Sequence, residues 1–267
     1  MNIGFIGAGN LAEAIIVGLK SDGSFTDDIL IYDTSEQRSE FFSSLGGLIL
    51  CASAEQVVLA SDILLLAVKP HQLTQVLDEL REVVAIRSPL IVSLAVGKTI
   101  DFLEQALSDK TAIARVMVNL NARYRLSTGA YVLNNAVTEE QKQLICSVFS
   151  RIGTLQEIPE SQFSVFFAVA GSSPAFAYLY VDALAKAAEK AGMASSDALM
   201  MAAQTVFGSA KTLLESHIPP CEMVERVCSP GGTTIEGIKS LRESNFSETV
   251  IKAIEAVLAK DAFLQGR

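Results

Sequence analysis

The stretch Asn2-Ile3-Gly4-Phe5-Ile6-Gly7-Ala8-Gly9-Asn10-Leu11-Ala12 decides the architecture. Residues 2–6 are apolar without alternation, which reads as a short strand buried on both faces. Residues 7–12 follow the G-x-G-x-x-G/A form with alanine last, and an amphipathic helix is expected from about Leu11 to Lys20. Strand, glycine turn and helix in this order make a dinucleotide cradle. Gly7 permits the tight turn. Gly9 lets the backbone approach a pyrophosphate with no side chain between, and Ala12 is small enough for the helix to pack on the strand. Ala8, Asn10 and Leu11 belong to the same turn. Its anion would sit at the helix N-terminus, where free N–H groups and the dipole favour negative charge. The plain alternative is a generic tight strand–helix turn.

Moving outward, Ile29–Asp33 reads as a second strand, with Asp33 about twenty residues beyond the turn. A carboxylate there accepts bonds from adenosine ribose hydroxyls and repels a 2′-phosphate, which leans toward NADH. Ser35 and Arg38 just downstream are suited to receive that phosphate, so NADPH or NADH both stay open. A helix cap is the ordinary role for Asp33. The run 63–68 (ILLLAV) is a further buried strand, followed by Lys69-Pro70-His71. Ligands in open α/β sheets bind at the carboxyl ends of strands. Ala67, Val68 and Pro70 would therefore flank the cofactor, with Lys69 near its phosphates or ribose. A proline-started helix with a solvated lysine would look the same.

Strand-like runs at 90–96, 112–118, 129–133 and 155–158 alternate with helix-period segments at 73–84 and 100–107. Thr138-x-x-Gln141 has the form of a capping box that opens another helix, reaching about Arg151. Unalternated strands between helices predict an α/β, doubly wound, mostly parallel sheet. After Pro159 no strand pattern remains. Ser173-Pro174 reads as a helix cap with proline at the first helical position. Helices are expected over about 175–192, 197–215, 220–231, 234–243 and 247–263. The domains are therefore placed at 1–158, a Rossmann NAD(P)-binding domain, and 159–267, an all-helical dimerisation and substrate domain. Segments 175–188 and 198–214 are apolar around most of their circumference. A helical domain this small has trouble burying both alone, so a homodimer sharing a helical core is expected.

The 267 residues are 50% hydrophobic and carry a net charge of −9, with a pI near 4.8. That composition excludes a disordered chain and disfavours nucleic-acid or anionic-membrane partners. The four cysteines form no CxxC pair. The N-terminus lacks a basic signal-peptide region, and no apolar run approaches the roughly 18 residues of a membrane span. A reducing cytoplasm is the expected compartment. His217, Cys221 and Cys228 are a conceivable metal set, but packing is the commoner role for such residues, and no metal is expected.

The most specific stretch is Val227-Cys228-Ser229-Pro230-Gly231-Gly232-Thr233-Thr234-Ile235-Glu236. Thr233-x-x-Glu236 has capping-box form, which would make Thr233 the N-cap and Thr234 the first helical residue. Gly231 and Gly232 leave backbone N–H groups uncovered before the helix, a setting for a carboxylate with the Thr234 hydroxyl beside it. A plain helix–helix turn fits the same residues.

Taken with Gly7-Ala8-Gly9-Asn10, Ala67-Val68-Lys69-Pro70, Arg115-x-Met117-x-Asn119 and Gly171-Ser172-Ser173-Pro174-Ala175, this loop resembles the pyrroline-5-carboxylate reductase family over nearly the whole chain. The resemblance implies hydride transfer from NAD(P)H to the C=N bond of 1-pyrroline-5-carboxylate, giving L-proline. It also implies a dimer built from the helical domains. Carried over residue by residue, Ser229, Gly231, Gly232 and Thr233 would hold the substrate carboxylate, and Thr234 would hydrogen-bond the ring nitrogen as the catalytic contact. Val68, Lys69 and Pro70 would line the cofactor, with Asn119 near the nicotinamide. A cyclic iminium is already electrophilic, so orientation and a dry pocket suffice without a metal or nucleophile.

One region departs from the family pattern. Met117-Val118-Asn119 stands where Met-Pro-Asn is usual, and Arg123 and Arg125 lie in a normally apolar run; they are read as facing solvent rather than binding substrate. Two other functions compete. One is a 3-hydroxyacid-type dehydrogenase, with Lys186, Lys190 or Lys211 as the acid/base. The other is a non-catalytic nucleotide-binding paralogue.

Overall fold

A computed structural model describes residues 1–266. Its strands are β1 (Asn2–Ile6), β2 (Asp28–Tyr32), β3 (Ile49–Leu50), β4 (Ile63–Leu66), β5 (Leu90–Ser93), β6 (Ile113–Met117), β7 (Ser127–Leu133) and β8 (Gly153–Glu157). They form one sheet in the order β3-β2-β1-β4-β5-β6-β7-β8. All neighbours are parallel except β6 and β7. The order runs outward in both directions from the β1–β4 pair, so the sheet is doubly wound and its carboxyl edge opens between those two strands. β7 reverses because a 3-10 segment, Leu120–Tyr124, and Arg125 in a left-handed conformation turn the chain directly. So short a connection cannot make a parallel crossover.

Both faces are covered, which is why the strands carry no alternation. On one face α1 (Asn10–Lys20) and α6 (Glu139–Phe149) bury Ile15, Ile16, Leu19, Ile145 and Phe149 against Ile3, Phe5 and Ile31. On the other, α3 (Ala54–Ala60), α4 (Leu73–Arg87) and α5 (Ile100–Ala106) bury Val57, Leu77, Val84 and Leu103 against Leu64, Leu66 and Ile91. Each such side chain contributes about 1.5–3 kcal/mol. The capping box of α6 forms as expected: Thr138 Oγ1 accepts from Gln141 N at 3.3 Å, and Gln141 Oε1 accepts from Thr138 N at 3.0 Å. The polar α2 (Glu36–Leu45) and the exposed two-residue β3 had no legible period, since α2 buries only Phe42.

The chain forms two compact units, Met1–Ser172 with the stretch from Leu258 onward, and Ser173–Val257. The change of architecture near residue 158 therefore precedes the change of compact unit. Phe163, in the short helix α7 (Phe163–Phe166), is 3% exposed in the sheet core.

Ser173 is not a helix cap, contrary to the sequence expectation. A π-helical turn, Phe167–Ser172, joins α7 to α8 (Ser173–Lys190), so Pro174 lies inside a continuous helical run. That run, Glu160–Lys190, is long and apolar enough, by length and composition only, to cross a membrane, which corrects the expectation that no segment is.

The second unit continues with α9 (Ser195–Ser216), α10 (Pro220–Val227), α11 (Thr233–Glu243) and the first part of α12 (Phe246–Leu264). Its buried cluster is small, centred on Ala185, Ala198 and Ala202. Leu179 (70%), Met200 (61%), Phe207 (51%) and Leu214 (77%) stay exposed.

Candidate active site

A cleft of about 650 Å³ lies at the carboxyl ends of β1, β2 and β4. Gly7, Gly9, Asp33, Ala67, Val68 and Lys69 all line it. Gly7 has φ +96°, and a Cβ there would sit 2.7 Å from the Ala67 carbonyl carbon and 2.9 Å from Val68 N. No other residue fits both the conformation and the space. Gly9 differs: a Cβ would meet nothing within 4 Å. Its missing side chain leaves room for something outside the protein, at the head of α1 where amide groups and the helix dipole favour an anion. A pyrophosphate fits this cradle. Ala8, Asn10 and Leu11 complete the turn, and Pro70 follows Lys69; these four are not among the lining residues.

Asp33 braces the loop. Its Oδ2 accepts from Ala8 N at 2.6 Å and its Oδ1 from Ser35 N at 2.8 Å. The free, ribose-directed carboxylate read from the sequence is instead partly committed to backbone, although it still faces the cleft. Ser35 caps α2, with its Oγ accepting from Arg38 N. Arg38 reaches back, donating from Nε to the Ala8 carbonyl and from Nη2 to Glu13 Oε2 at 2.9 Å. Its guanidinium lies over the rings of Phe41 and Phe42.

Sequence reading missed Glu13. It sits in the first turn of α1 and pairs with both Arg38 and, at 2.7 Å, Arg123. Arg125 pairs with Asp22 and donates to the Arg151 carbonyl at 2.9 Å. The two unusual arginines therefore pin the 3-10 segment to the two ends of α1 rather than only facing solvent. Burial alone would raise the Glu13 pKa, but the bonds from Arg38 and Arg123 outweigh it and hold the carboxyl below its usual 4.5. A depressed carboxylate pKa stabilises the fold above the ordinary value and loses that stability as pH falls through the folded one. Glu13→Gln is thus expected to be less stable than wild type near neutrality, and the gap should close as pH drops below 4.5. Urea denaturation at several pH values checks this; a gap independent of pH would refute it.

Asn119 lies outside the cleft lining, 6% exposed, at the carboxyl end of β6. Its backbone N–H donates to Ser127 Oγ at 3.0 Å, its Oδ1 accepts from Asn121 N at 3.1 Å, and its Nδ2 donates to the Ala170 carbonyl at 2.9 Å.

In the second unit, Ser229 and Pro230 lead into Gly231, at φ +73°, and Gly232. Gly232 N donates to Ser229 O at 3.0 Å, and Gly232 is the extended N-cap of α11. The Thr233 capping box does not form. Thr233 is the first helical residue and Thr234 the second, while Glu236 pairs with Lys239 at 2.7 Å. The glycine turn takes the cap position and leaves both threonine hydroxyls out of capping. Ser229, Gly231, Thr233 and Thr234 are exposed. Lys186 and Lys211, considered as an acid/base, sit in exposed i,i+4 pairs with Asp182 and Glu215 at 2.6 Å. Among the described residues no three His, Cys, Asp or Glu side chains come close enough to hold a metal.

Sheet order, glycine cradle and cleft together define a dinucleotide-binding protein of the Rossmann type. Residues 160–264 match the family model described as pyrroline-5-carboxylate reductase dimerisation, and residues 2–97 match one described as NADP oxidoreductase, coenzyme F420-dependent. The pyrroline-5-carboxylate reductase of Escherichia coli K12 is 36% identical over 259 residues, covering 97% of this chain and 96% of its own. That of Aquifex aeolicus is 34% identical over 97% of this chain and 96% of its own. The crystal structure of the Plasmodium falciparum enzyme with NADP bound superposes with a TM-score of 0.91 at 26% identity, covering 99% of this chain and 98% of that one. The chain belongs to the pyrroline-5-carboxylate reductase family.

Proposed function

We propose that this protein reduces the C=N bond of 1-pyrroline-5-carboxylate to give L-proline, with NADPH or NADH as reductant. The observation that carries this reading is the open cradle at Gly9 on the head of α1, in a chain akin to these reductases over its full length. When bound, the reduced nicotinamide supplies the hydride. Gly7, Ala8, Gly9, Asn10 and Leu11 hold the pyrophosphate by backbone contact. Asp33 keeps that loop in shape, and Ala67, Val68, Lys69 and Pro70 form the wall of the cleft.

Ser229, Gly231, Gly232 and Thr233 hold the substrate carboxylate. The first-turn amides of α11 have no acceptor within their helix, which makes this turn a setting for an anion. Thr234, second in the helix and uncommitted to capping, hydrogen-bonds the ring nitrogen: its hydroxyl oxygen accepts from the N–H of the iminium, whose proton stays on nitrogen when hydride adds to the ring carbon. The helical region from residue 159 is the dimerisation and substrate domain. The exposed apolar residues of α8 and α9 are its homodimer surface, and this also accounts for the membrane-like composition of Glu160–Lys190. The compartment is the cytoplasm.

The test is oxidation of NADPH or NADH on adding 1-pyrroline-5-carboxylate. Thr234→Ala is expected to lower kcat/KM by about tenfold or more, the size of one polar contact strengthened in the transition state, with nicotinamide dinucleotide affinity unchanged. A wild-type protein that binds the dinucleotide without turning over this imine would overturn the reading. Parallel titrations of NADPH and NADH decide the reductant.

A further inference from the structure

One hydrogen bond ties Asn119 to Ala170, the residue just before the Gly171-Ser172-Ser173-Pro174 motif. In an α-helix the carbonyl of residue 170 takes the N–H of residue 174. Residue 174 is proline, which has no N–H, and whose ring crowds that same carbonyl. The chain opens into the π-helical turn Phe167–Ser172 just ahead of it. The carbonyl of Ala170 accepts instead from Asn119 Nδ2, at 2.9 Å, across 51 residues of sequence. Both groups are buried, so leaving either unpaired would be costly.

Two more observations show that the turn is specified rather than incidental. A Cβ on Gly171 would lie 2.5 Å from Phe167 Cδ2 and 2.8 Å from Cε2, so the Phe167 ring occupies the space a side chain would need. Asn119 itself is held on three sides, through Ser127 Oγ, Asn121 N and Ala170 O, so its carboxamide cannot reorient without breaking another bond. β6, which Asn119 follows, has its carboxyl end at the same edge of the sheet as β1, β4 and β5. That is the edge where ligands of such sheets bind, and π turns occur often at functional sites.

We infer that Asn119 is a positioning residue: its carboxamide supplies the donor that Pro174 withholds from Ala170, and so fixes the π turn at the reacting edge of the sheet. The inference rests on the reductase reading above for its effect on turnover, though not for the clamp itself. The π turn needs the clamp because Ala170 lies within it and Pro174 gives its carbonyl no helical donor. A turn free to shift by about an ångström misplaces the groups it carries, which can cost up to about a hundredfold in rate.

The test is a double-mutant cycle of wild type, Asn119→Ala, Pro174→Ala and the double variant. Three quantities are read on each: kcat and KM for 1-pyrroline-5-carboxylate, the Kd for NADPH by fluorescence titration, and amide hydrogen exchange over residues 163–176. Asn119→Ala is expected to lower kcat between about tenfold and a hundredfold, leave the NADPH Kd within about twofold, and speed exchange in the π turn. Pro174→Ala gives residue 174 an N–H. In the double variant this donor should restore both kcat and protection to near the level of Pro174→Ala alone. Asn119→Leu keeps the approximate size of the side chain, adds no charge and removes the donor, so it replaces the alanine variant if that one does not fold.

A double variant no better than Asn119→Ala would overturn the inference. So would an NADPH affinity that falls in step with kcat while exchange stays unchanged, since that places Asn119 in contact with the dinucleotide. If wild type fails to reduce the imine, the functional reading fails, and the exchange arm alone still decides the clamp.

Discussion

Gly9→Val is expected to weaken NADPH binding by more than about a hundredfold while lowering Tm by no more than about 4 °C. The two effects separate because a side chain at Gly9 would start in open space rather than against the protein. A Cβ there would find no atom within 4 Å, and its φ of −72° and ψ of −176° suit any residue. Valine at the N-cap position of α1 costs the fold about 1 kcal/mol or less relative to glycine. Its methyl groups would occupy the space through which a pyrophosphate reaches the first amides of the helix. Losing two charge-assisted bonds of about 1.5–3 kcal/mol each accounts for the loss of affinity. Fluorescence titration with NADPH and a thermal melt on the same sample check both halves. Binding within about fivefold of wild type would mean that the dinucleotide does not cross this turn. Gly7 offers the contrast, since its backbone conformation and its contact with Ala67 and Val68 make Gly7→Ala damaging to fold and site together.

Gly18→Ala is the second large effect, and it acts on stability. Gly18 is buried on α1 where the 3-10 segment crosses it. A Cβ there would sit 2.0 Å from the Ala122 carbonyl oxygen and 3.1 Å from Ile152 Cγ2. Alanine in a helix usually gains about 1 kcal/mol over glycine. Here overlap with a backbone atom outweighs that gain, because Ala122 is anchored through its neighbours Arg123, on Glu13, and Arg125, on Asp22. A net loss of about 3 kcal/mol is expected, or roughly 6–12 °C in Tm. An unchanged or higher melting temperature would show that the 3-10 segment does not pack as described.

Two stretches with the same capping pattern show where reading the sequence succeeds and where it stops. Thr138-x-x-Gln141 forms its reciprocal box, because nothing before it competes for the cap position. Thr233-x-x-Glu236 does not, because Gly232, bonded to the Ser229 carbonyl, takes the extended cap conformation one residue earlier. Ser173-Pro174 fails for a different reason. Proline normally starts or breaks a helix, but the donor that lets this helix run through it comes from Asn119, far away in the chain. Asp33 carries backbone bonds that its position in the sequence did not announce. Its use by Ala8 N depends on β1 and β2 lying side by side. Glu13 went unnoticed because an acidic residue in a first helical turn is ordinary until Arg38 and Arg123 arrive from residues 25 and 110 positions away.

By itself the sequence determined the strand–turn–helix at residues 2–20, the unalternated strands, the order of elements apart from α2, β3 and α3, and the glycine cradle. These follow from backbone conformation and hydrophobic period, which act over a few residues. The three-dimensional structure alone decided which groups are already occupied. Asp33, Arg38 and Asn119 each spend hydrogen bonds on distant backbone, and Glu13 on distant arginines. A side chain's remaining capacity depends on what strand pairing and helix packing bring to it, and no local pattern carries that information.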